Sequence, residues 1–282
     1  MMRRIATGDG VAWLAVTALL CVGAIVVAIG GGLANFTPWS MALDWMPNIE
    51  WPQPWRLWTS AWVHWTRAHL AVNLAGAAIV GAVGWRARAP ASAALAWFIA
   101  WPLTQGLMVL PDSAMMAKAM PFYGGLSGVL HAGVIVLGLA LTWPRRRKPD
   151  AVAAPLPESG FVATKASVIE PSRITEGPWA MTSLEELSSV PTALPVSTIE
   201  PAPGPALTPA QATRHRWIGV AIVVGTFVKV LMESPWDIAL RPSITLGVQV
   251  APLAHACGIA AGAIAWGLVT WWAAIVPPRR RR

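Results

Sequence analysis

The sequence predicts an all-α, polytopic membrane protein with six membrane-spanning helices. Of its 282 residues, 55% are hydrophobic and only 12% are charged, which is too apolar for an ordinary soluble domain. Six apolar segments approach or exceed the ~20 residues that a spanning helix needs. The basic residues cluster at the ends of these segments instead of covering one face. The net charge of +8 therefore does not indicate nucleic-acid binding.

The six predicted helices cover residues 11–34, 66–85, 91–110, 123–143, 217–232 and 248–276. The first apolar run is too long for the core of a signal peptide, and no clear cleavage site follows it, so it is expected to remain as a helix. The short cytoplasmic ends and loops would hold fourteen Lys and Arg residues, whereas the outer loops hold three: Arg56, Lys118 and Arg241. This asymmetry predicts an integral membrane protein with both termini in the cytoplasm.

The chain divides into a membrane core with helices 1–4 (1–145), a linker (146–213), and a second core part with helices 5 and 6 and a basic tail (214–282). Residues 149–213 hold eleven of the 25 prolines and seven of the 13 acidic residues. This composition predicts a disordered cytoplasmic segment. The outer loop from Trp39 to Trp65 holds seven tryptophans, so it is expected to lie in the outer leaflet. An aromatic belt without catalytic importance fits that loop equally well.

Ser127 is the first of several polar residues that stand inside apolar runs, where an unpaired polar group is costly. It lies in the run Gly124-Gly125-Leu126-Ser127-Gly128 at the start of the fourth segment. The glycines allow close approach of a ligand or helix, and a helix N-terminus offers free N–H donors for an oxyanion. A small-residue packing seam is the alternative.

Two histidines and an asparagine could complete such a site. His255 lies in a helix with Gly258 and Gly262 on one face, so it could act as the base that a serine nucleophile needs, or it could bind a backbone carbonyl. His69 and Asn73 are spaced i, i+4 and could donate to one developing negative charge, or they could form a polar clasp between helices. His64 is expected to be structural.

The order of these motifs resembles that of the rhomboid family of intramembrane serine proteases. The resemblance rests on HxxxxHxxxN in the second helix, GLSG opening the fourth and AHxxGxxxG in the sixth. Trp55-Arg56 with Thr59 is also similar to the WR motif of the family's first outer loop. The likeness covers about residues 11–143 and 214–276 and omits the linker.

The resemblance implies a six-helix rhomboid-like bundle with Ser127 as nucleophile and His255 as general base. His69 and Asn73 would form the oxyanion hole with the backbone amide of Ser127. The Trp-rich loop would be the family's membrane-embedded loop, and the fifth helix with the loop 233–252 would control substrate access. The partners would be a membrane-anchored protein substrate and the lipid bilayer. No metal or cofactor is expected, since no HExxH is present and the two cysteines lie in separate apolar runs.

His131 departs from the common family pattern. It stands four residues after Ser127, where many rhomboids carry a tyrosine that packs on the catalytic histidine. The run SGVLHAG resembles the rhombosortase branch, whose bacterial members remove C-terminal anchors from exported proteins, and this implies a bacterial inner membrane. The sequence also leaves open a non-catalytic rhomboid-like chaperone and a transporter. Few charges lie inside the helices, and Lys229 is expected to extend outward to the interface.

Overall fold

We describe the fold from a computed structural model of the chain. It describes residues 10–33, 37–47, 53–110, 113–143, 208–236, 238 and 240–276. Most of the predicted linker lies outside these residues, as do both ends of the chain.

A long helix forms in each of the six predicted segments. These helices are α1 (Val11–Val27), which continues as a π-helical turn over Ala28–Gly32, α4 (Arg67–Arg86), α5 (Ala91–Leu107), α7 (Ser127–Thr142), α8 (Pro209–Met232) and α9 (Pro252–Ile275). Among the described residues, the first helix with its π turn and α4, α8 and α9 are long and apolar enough to cross a membrane. These four helices confirm the prediction of a largely helical membrane protein.

The shorter elements lie between these helices. They are α2 (Pro38–Leu43), α3 (Arg56–Thr59) with a 3-10 turn over Ser60–Trp62, α6 (Ser113–Ala119), and the strands β1 (Arg241–Ser243) and β2 (Val248–Val250). The strands pair antiparallel, with Arg241 opposite Val250, and Gly247 in the turn has a φ of 63°. A left-handed residue of this kind favours glycine, which closes the turn without strain.

Two predicted helix boundaries are wrong for identifiable reasons. Residues 248–250, placed in the sixth helix, form β2 because β-branched valines favour a strand, and Pro252 then begins α9. The fifth helix begins at Pro209 instead of 217, so residues 209–213 of the predicted linker are helical. The Thr208 hydroxyl accepts a hydrogen bond from the Gln211 amide, and the Gln211 side-chain oxygen accepts one from the Thr208 amide. This capping box stabilises the first turn of the helix.

Small residues allow tryptophan side chains to fill the helix interfaces. The indole of Trp13 occupies the space that a Cβ on Gly84 would need, and its Nε1 donates to the Val80 carbonyl at 3.0 Å. Trp97 packs against Gly133 in the same way and donates to the Val129 carbonyl at 2.9 Å. Close packing of this kind is a main source of helix association in lipid, where burial of apolar surface from water contributes little.

The Trp-rich outer loop is fastened by a buried ion pair. The Arg56 guanidinium lies 3.1 Å from an Asp44 carboxylate oxygen and also donates to the carbonyls of Asp44 and Met41. Thr59 donates to the Leu43 carbonyl at 2.7 Å. The WR-like residues therefore join α3 to α2, and Arg56 is an internal charge of the loop instead of an exposed one. The placement of this loop in the outer leaflet stays a prediction.

Candidate active site

One cavity of about 680 Å³ brings together the polar residues that the sequence singled out. Its walls come from α4, α7, α8, β2 and the first turn of α9. The predicted site residues that line it are Ser127, His255, His69, Asn73 and His131, and most of the remaining wall is apolar. The predicted nucleophile, base and oxyanion donors therefore lie within one space, although they come from three separate helices.

Ser127 is the first residue of α7, and the segment before it is tied to the outer loop. Tyr123 and Trp45 exchange two backbone hydrogen bonds of 2.8 and 2.9 Å, and the Gly125 amide donates to the Ser60 carbonyl at 3.0 Å. Gly125 has a φ of 128°, a conformation that L side chains rarely adopt. The chain thus turns sharply before Ser127, whose amide is among the first-turn donors that lack an intrahelical partner.

His255 reaches the cavity because α7 and α9 approach each other at their glycines. A Cβ on Gly258 would overlap the carbonyl oxygen of Gly128, and a Cβ on Gly128 would lie 2.8 Å from the Ala254 carbonyl oxygen. Gly262 lies against Ala132 one turn further along. The small-residue seam that was an alternative for these glycines therefore exists, and it places the imidazole on the same wall as Ser127.

The ring of His255 is held on two sides. It stacks on the ring of His131 with centroids 4.2 Å apart and planes inclined by 20°, as the resemblance implied. Its Nδ1 lies 2.7 Å from an Oε of Glu233. Sequence reasoning missed Glu233 as a site residue. It stands at the C-terminal end of an apolar helix, four residues after Lys229, and this placement alone does not single it out.

Lys229 does not extend away from the site. Its Nζ lies 2.8 Å from the other Glu233 oxygen and 2.8 Å from Nε2 of His131. His131 in turn holds the Ser127 carbonyl oxygen through Nδ1 at 2.7 Å. Since a carbonyl only accepts hydrogen bonds, the His131 proton lies on Nδ1 and its Nε2 accepts from the ammonium.

Ser127 and His255 share the cavity without a direct hydrogen bond between their side chains in the described structure. Ser127 Oγ instead lies 3.3 Å from the hydroxyl of Tyr123. Burial raises the pKa of Tyr123, so this phenol is neutral and can donate or accept. Catalytic hydrogen bonds are often long or misaligned without substrate, and a rotation about χ1 of Ser127 would redirect its Oγ. Tyr123 is a second site residue that sequence reasoning did not assign.

The wall formed by α4 carries the predicted oxyanion donors. Asn73 Nδ2 lies 3.1 Å from His64 Nε2, and His64 Nδ1 lies 3.1 Å from the Trp62 carbonyl oxygen. The carbonyl requires a proton on Nδ1, so Nε2 of His64 accepts from the Asn73 amide. Burial, with a smaller contribution from His69, lowers the pKa of His64 to about 3, which keeps this ring neutral. These contacts let His64 orient the Asn73 amide, and its assignment as a structural residue stays a prediction.

His69 lies beside the turn that precedes Ser127. A Cβ on Gly125 would lie 2.8 Å from Nε2 of His69 and 3.5 Å from Nδ2 of Asn73. Nδ1 of His69 is buried without a hydrogen-bond partner in the described structure. Glycine at 125 therefore lets the turn before α7 lie close to two potential hydrogen-bond donors, both of which line the cavity with Ser127.

The described residues contain no group of three or more His, Cys, Asp or Glu side chains arranged to hold a metal ion. Comparisons of the chain with protein-family models, with curated proteins and with solved structures gave no match.

Proposed function

We propose that this protein is an intramembrane serine endopeptidase that cleaves membrane-anchored proteins through Ser127 and His255. The observation that carries the proposal is the convergence of Ser127, His255, His69 and Asn73 on one largely apolar cavity. A nucleophile, a base and two oxyanion donors are the groups that acyl transfer needs. The rhomboid-like motif order supports the same reaction.

In the proposed reaction, Ser127 Oγ attacks the carbonyl carbon of the scissile peptide bond while its proton passes to His255. The electron pair of the carbonyl moves onto oxygen, on the side of the cavity that His69 and Asn73 line. There His69, Asn73 and the Ser127 amide donate hydrogen bonds to the developing oxyanion. The protonated imidazole then gives its proton to the leaving nitrogen, and water hydrolyses the acyl-enzyme with the same residue as base.

The length of α7 supports a site below the membrane surface. Its 16 residues extend about 24 Å, less than the ~30 Å of hydrocarbon in a bilayer. With its C-terminal end at the basic cluster 145–148 on the cytoplasmic face, Ser127 would lie roughly 6 Å inside the outer boundary. The walls of the cavity would exclude bulk water and strengthen each hydrogen bond to the oxyanion.

The architecture that accompanies this function is a six-helix rhomboid-like bundle with both termini in the cytoplasm. A rhombosortase-like enzyme that processes C-terminal anchors of exported proteins in a bacterial inner membrane is the narrower candidate. The stacking of His131 on His255 favours it, since histidine at this position is the sequence feature that pointed to that branch.

A fluorophosphonate probe, which labels activated serines, tests the function. Purified full-length protein in liposomes should be labelled and should cleave a reporter that carries a single transmembrane helix. Ser127→Ala should abolish both signals, whereas Ser92→Ala changes a serine outside the cavity and should retain them. Labelling and cleavage that persist in Ser127→Ala would exclude the protease.

A further inference from the structure

Glu233 occupies a position that the serine–histidine pair does not require. It caps the C-terminal end of α8, and one carboxylate oxygen lies 2.7 Å from Nδ1 of His255. The other oxygen lies 2.8 Å from Nζ of Lys229. The side chain is 29% exposed, while that of His255 is 6% exposed. The contact therefore joins a buried ring of α9 to a partly solvated group of α8.

The ionisation of Glu233 determines which nitrogen of His255 carries the proton. Burial alone would raise the pKa of Glu233, but hydrogen bonds from His255 and Lys229 outweigh that effect and lower the pKa to about 2. An ionised carboxylate only accepts hydrogen bonds. Nδ1 of His255 must therefore donate, and the lone pair remains on Nε2, the nitrogen that is free to take a proton from a serine.

We propose that Glu233 is a positioning residue that makes Ser127 and His255 part of a Ser–His–Glu triad. This inference rests on the proposed protease function and adds a third member on a third helix. Glu233 fixes the tautomer of the imidazole and stabilises the imidazolium that forms when Ser127 attacks. It takes no proton itself: the serine proton goes to Nε2 and then to the leaving nitrogen. Stacking on His131 restrains the plane of the ring, and Glu233 fixes its rotation.

Lys229 supports this arrangement from the opposite side. Its ammonium binds the Glu233 oxygen that does not contact His255, so the carboxylate is held between a cation and the ring. The pair is spaced i, i+4 on α8, and with 48% of the Lys229 side chain exposed the ion pair alone contributes little stability. Loss of the Glu233 carboxylate is therefore expected to lower kcat and to leave the folding stability nearly unchanged.

Four variants of the full-length protein separate positioning from structure. Glu233→Gln keeps the shape, but its amide can donate to Nδ1 and favour the wrong tautomer. By analogy with the matching change in soluble triads, kcat should fall on the order of 10⁴-fold with KM nearly unchanged. Glu233→Ala should also lose most activity, and Glu233→Asp should recover part of it. Lys229→Met, the comparison variant, removes the ion pair and the contact with His131 Nε2 but keeps the carboxylate at Nδ1 of His255, and should cost less than about tenfold.

Nuclear magnetic resonance of ¹⁵N-histidine reads the tautomer without any turnover. In Ser127→Ala protein in nanodiscs, the His255 signals can be assigned by their loss in the Ser127→Ala, His255→Ala double variant. The proposal expects a protonated Nδ1 and a shift toward protonated Nε2 when Glu233→Gln is added. This readout stays decisive even if the wild type cleaves nothing, so failure of the protease proposal and failure of the triad can be told apart.

Three results would overturn the inference. The first is a His255 ring protonated at Nε2 while Glu233 is intact. The second is Glu233→Gln protein that keeps activity within tenfold of wild type. The third is that Glu233→Gln and Lys229→Met lose the same amount of activity as each other and the same amount of thermal stability. That result would identify the contact as a structural ion pair.

Discussion

Two pairs of neighbouring histidines lie at the cavity and differ in their contacts, and three of the four, His69, His131 and His255, line it. On the α4 side, the rings of His64 and His69 lie 4.8 Å apart, inclined by 58°, and their polar contacts are with Asn73 and a backbone carbonyl. On the α7–α9 side, the rings of His131 and His255 stack at 4.2 Å beside Lys229 and Glu233. Only the second pair has a carboxylate within hydrogen-bond distance in the described structure. A neutral ring beside an amide suits donation to an oxyanion, whereas a ring beside a carboxylate suits proton transfer.

The largest expected effect comes from removing the ring that contacts Glu233. His255→Ala should lower kcat on the order of 10⁶-fold, and adding Ser127→Ala should cost almost nothing more, because the two residues act as a unit. His131→Phe should keep measurable activity, since a phenyl ring can still stack on His255. Reporter cleavage and probe labelling in liposomes measure both. Labelling that survives in His255→Ala but vanishes in His131→Phe would reverse the roles of the stacked pair.

Removing the proposed oxyanion donors on α4 should lower kcat less than removing His255 does. His69→Ala and Asn73→Ala should each lower kcat about 10²- to 10³-fold with little change in KM, because the oxyanion exists only near the transition state. Steady-state kinetics with the membrane reporter separates the two constants. A rise in KM at constant kcat would instead identify these side chains as a structural clasp between helices.

The close contact between Gly258 and Gly128 allows a substitution that displaces α9 and leaves the α4 side of the cavity unchanged. In Gly258→Ala the new methyl group would overlap the Gly128 carbonyl oxygen, so α9 must shift and carry His255 with it. Overpacking of this kind typically costs about 1–3 kcal/mol. Gly267→Ala, in the same helix with nothing within 4 Å of the new methyl group, is the control. Thermal unfolding and kcat should fall for Gly258→Ala only; equal behaviour of the two variants would contradict the close contact.

The pH dependence of stability should report the neutral ring of His64. Its pKa is lowered from 6.5 to about 3 in the fold, so between these values the unfolded chain binds a proton that the folded chain does not. Stability from this residue is present above about pH 6.5 and is lost as the pH falls toward 3. His64→Gln should reduce the dependence of the unfolding free energy on pH between pH 6.5 and 4.5. An unchanged slope in His64→Gln would mean that His64 is already protonated in the fold.

The smallest effect should follow from shortening the predicted linker. Replacing residues 150–206 by a short flexible segment should leave kcat within about twofold, because the linker composition does not support a packed core. Thr208 must stay, since removing the cap of α8 would cost about 1 kcal/mol of helix stability. Truncated protein that is folded yet inactive would give the linker a direct role in catalysis.

The sequence was sufficient for the six long helices and for five residues of the cavity, His131 among them, because both depend on local patterns. Long apolar runs define α1 and α4, and Ser127, His69, Asn73 and His255 are polar residues at fixed places within such runs. The start of α9 was misplaced because Val248 and Val250 are equally apolar in a helix and in a strand. The start of α8 could have been found from Thr208, Pro209 and Gln211, which form a capping signature.

The contacts that the sequence did not reveal join segments that are far apart along the chain and meet only in the folded structure. Glu233 precedes His255 by 22 residues, and the hairpin of β1 and β2 lies between them. No periodicity predicts that the end of α8 meets the start of α9 across this hairpin. Tyr123 likewise reaches Ser127 because its backbone pairs with Trp45, far away in the sequence. Such contacts are set by the tertiary path of the chain and leave no local signature.

The sparse packing of α8 has a consequence for when hydrolysis can occur. Of its 24 residues, only Gly219 and Val230 are buried, and the helix packs mainly on α7 and only slightly on α9. The helix is therefore restrained by few neighbours, and at its C-terminal end mainly by Val230 and by the polar contacts of Lys229 and Glu233. On the proposed triad, an outward tilt of that end would withdraw Glu233 from His255. Opening the cavity beside α8 would then switch the serine off, so that a bound chain is cut only after the helix has returned.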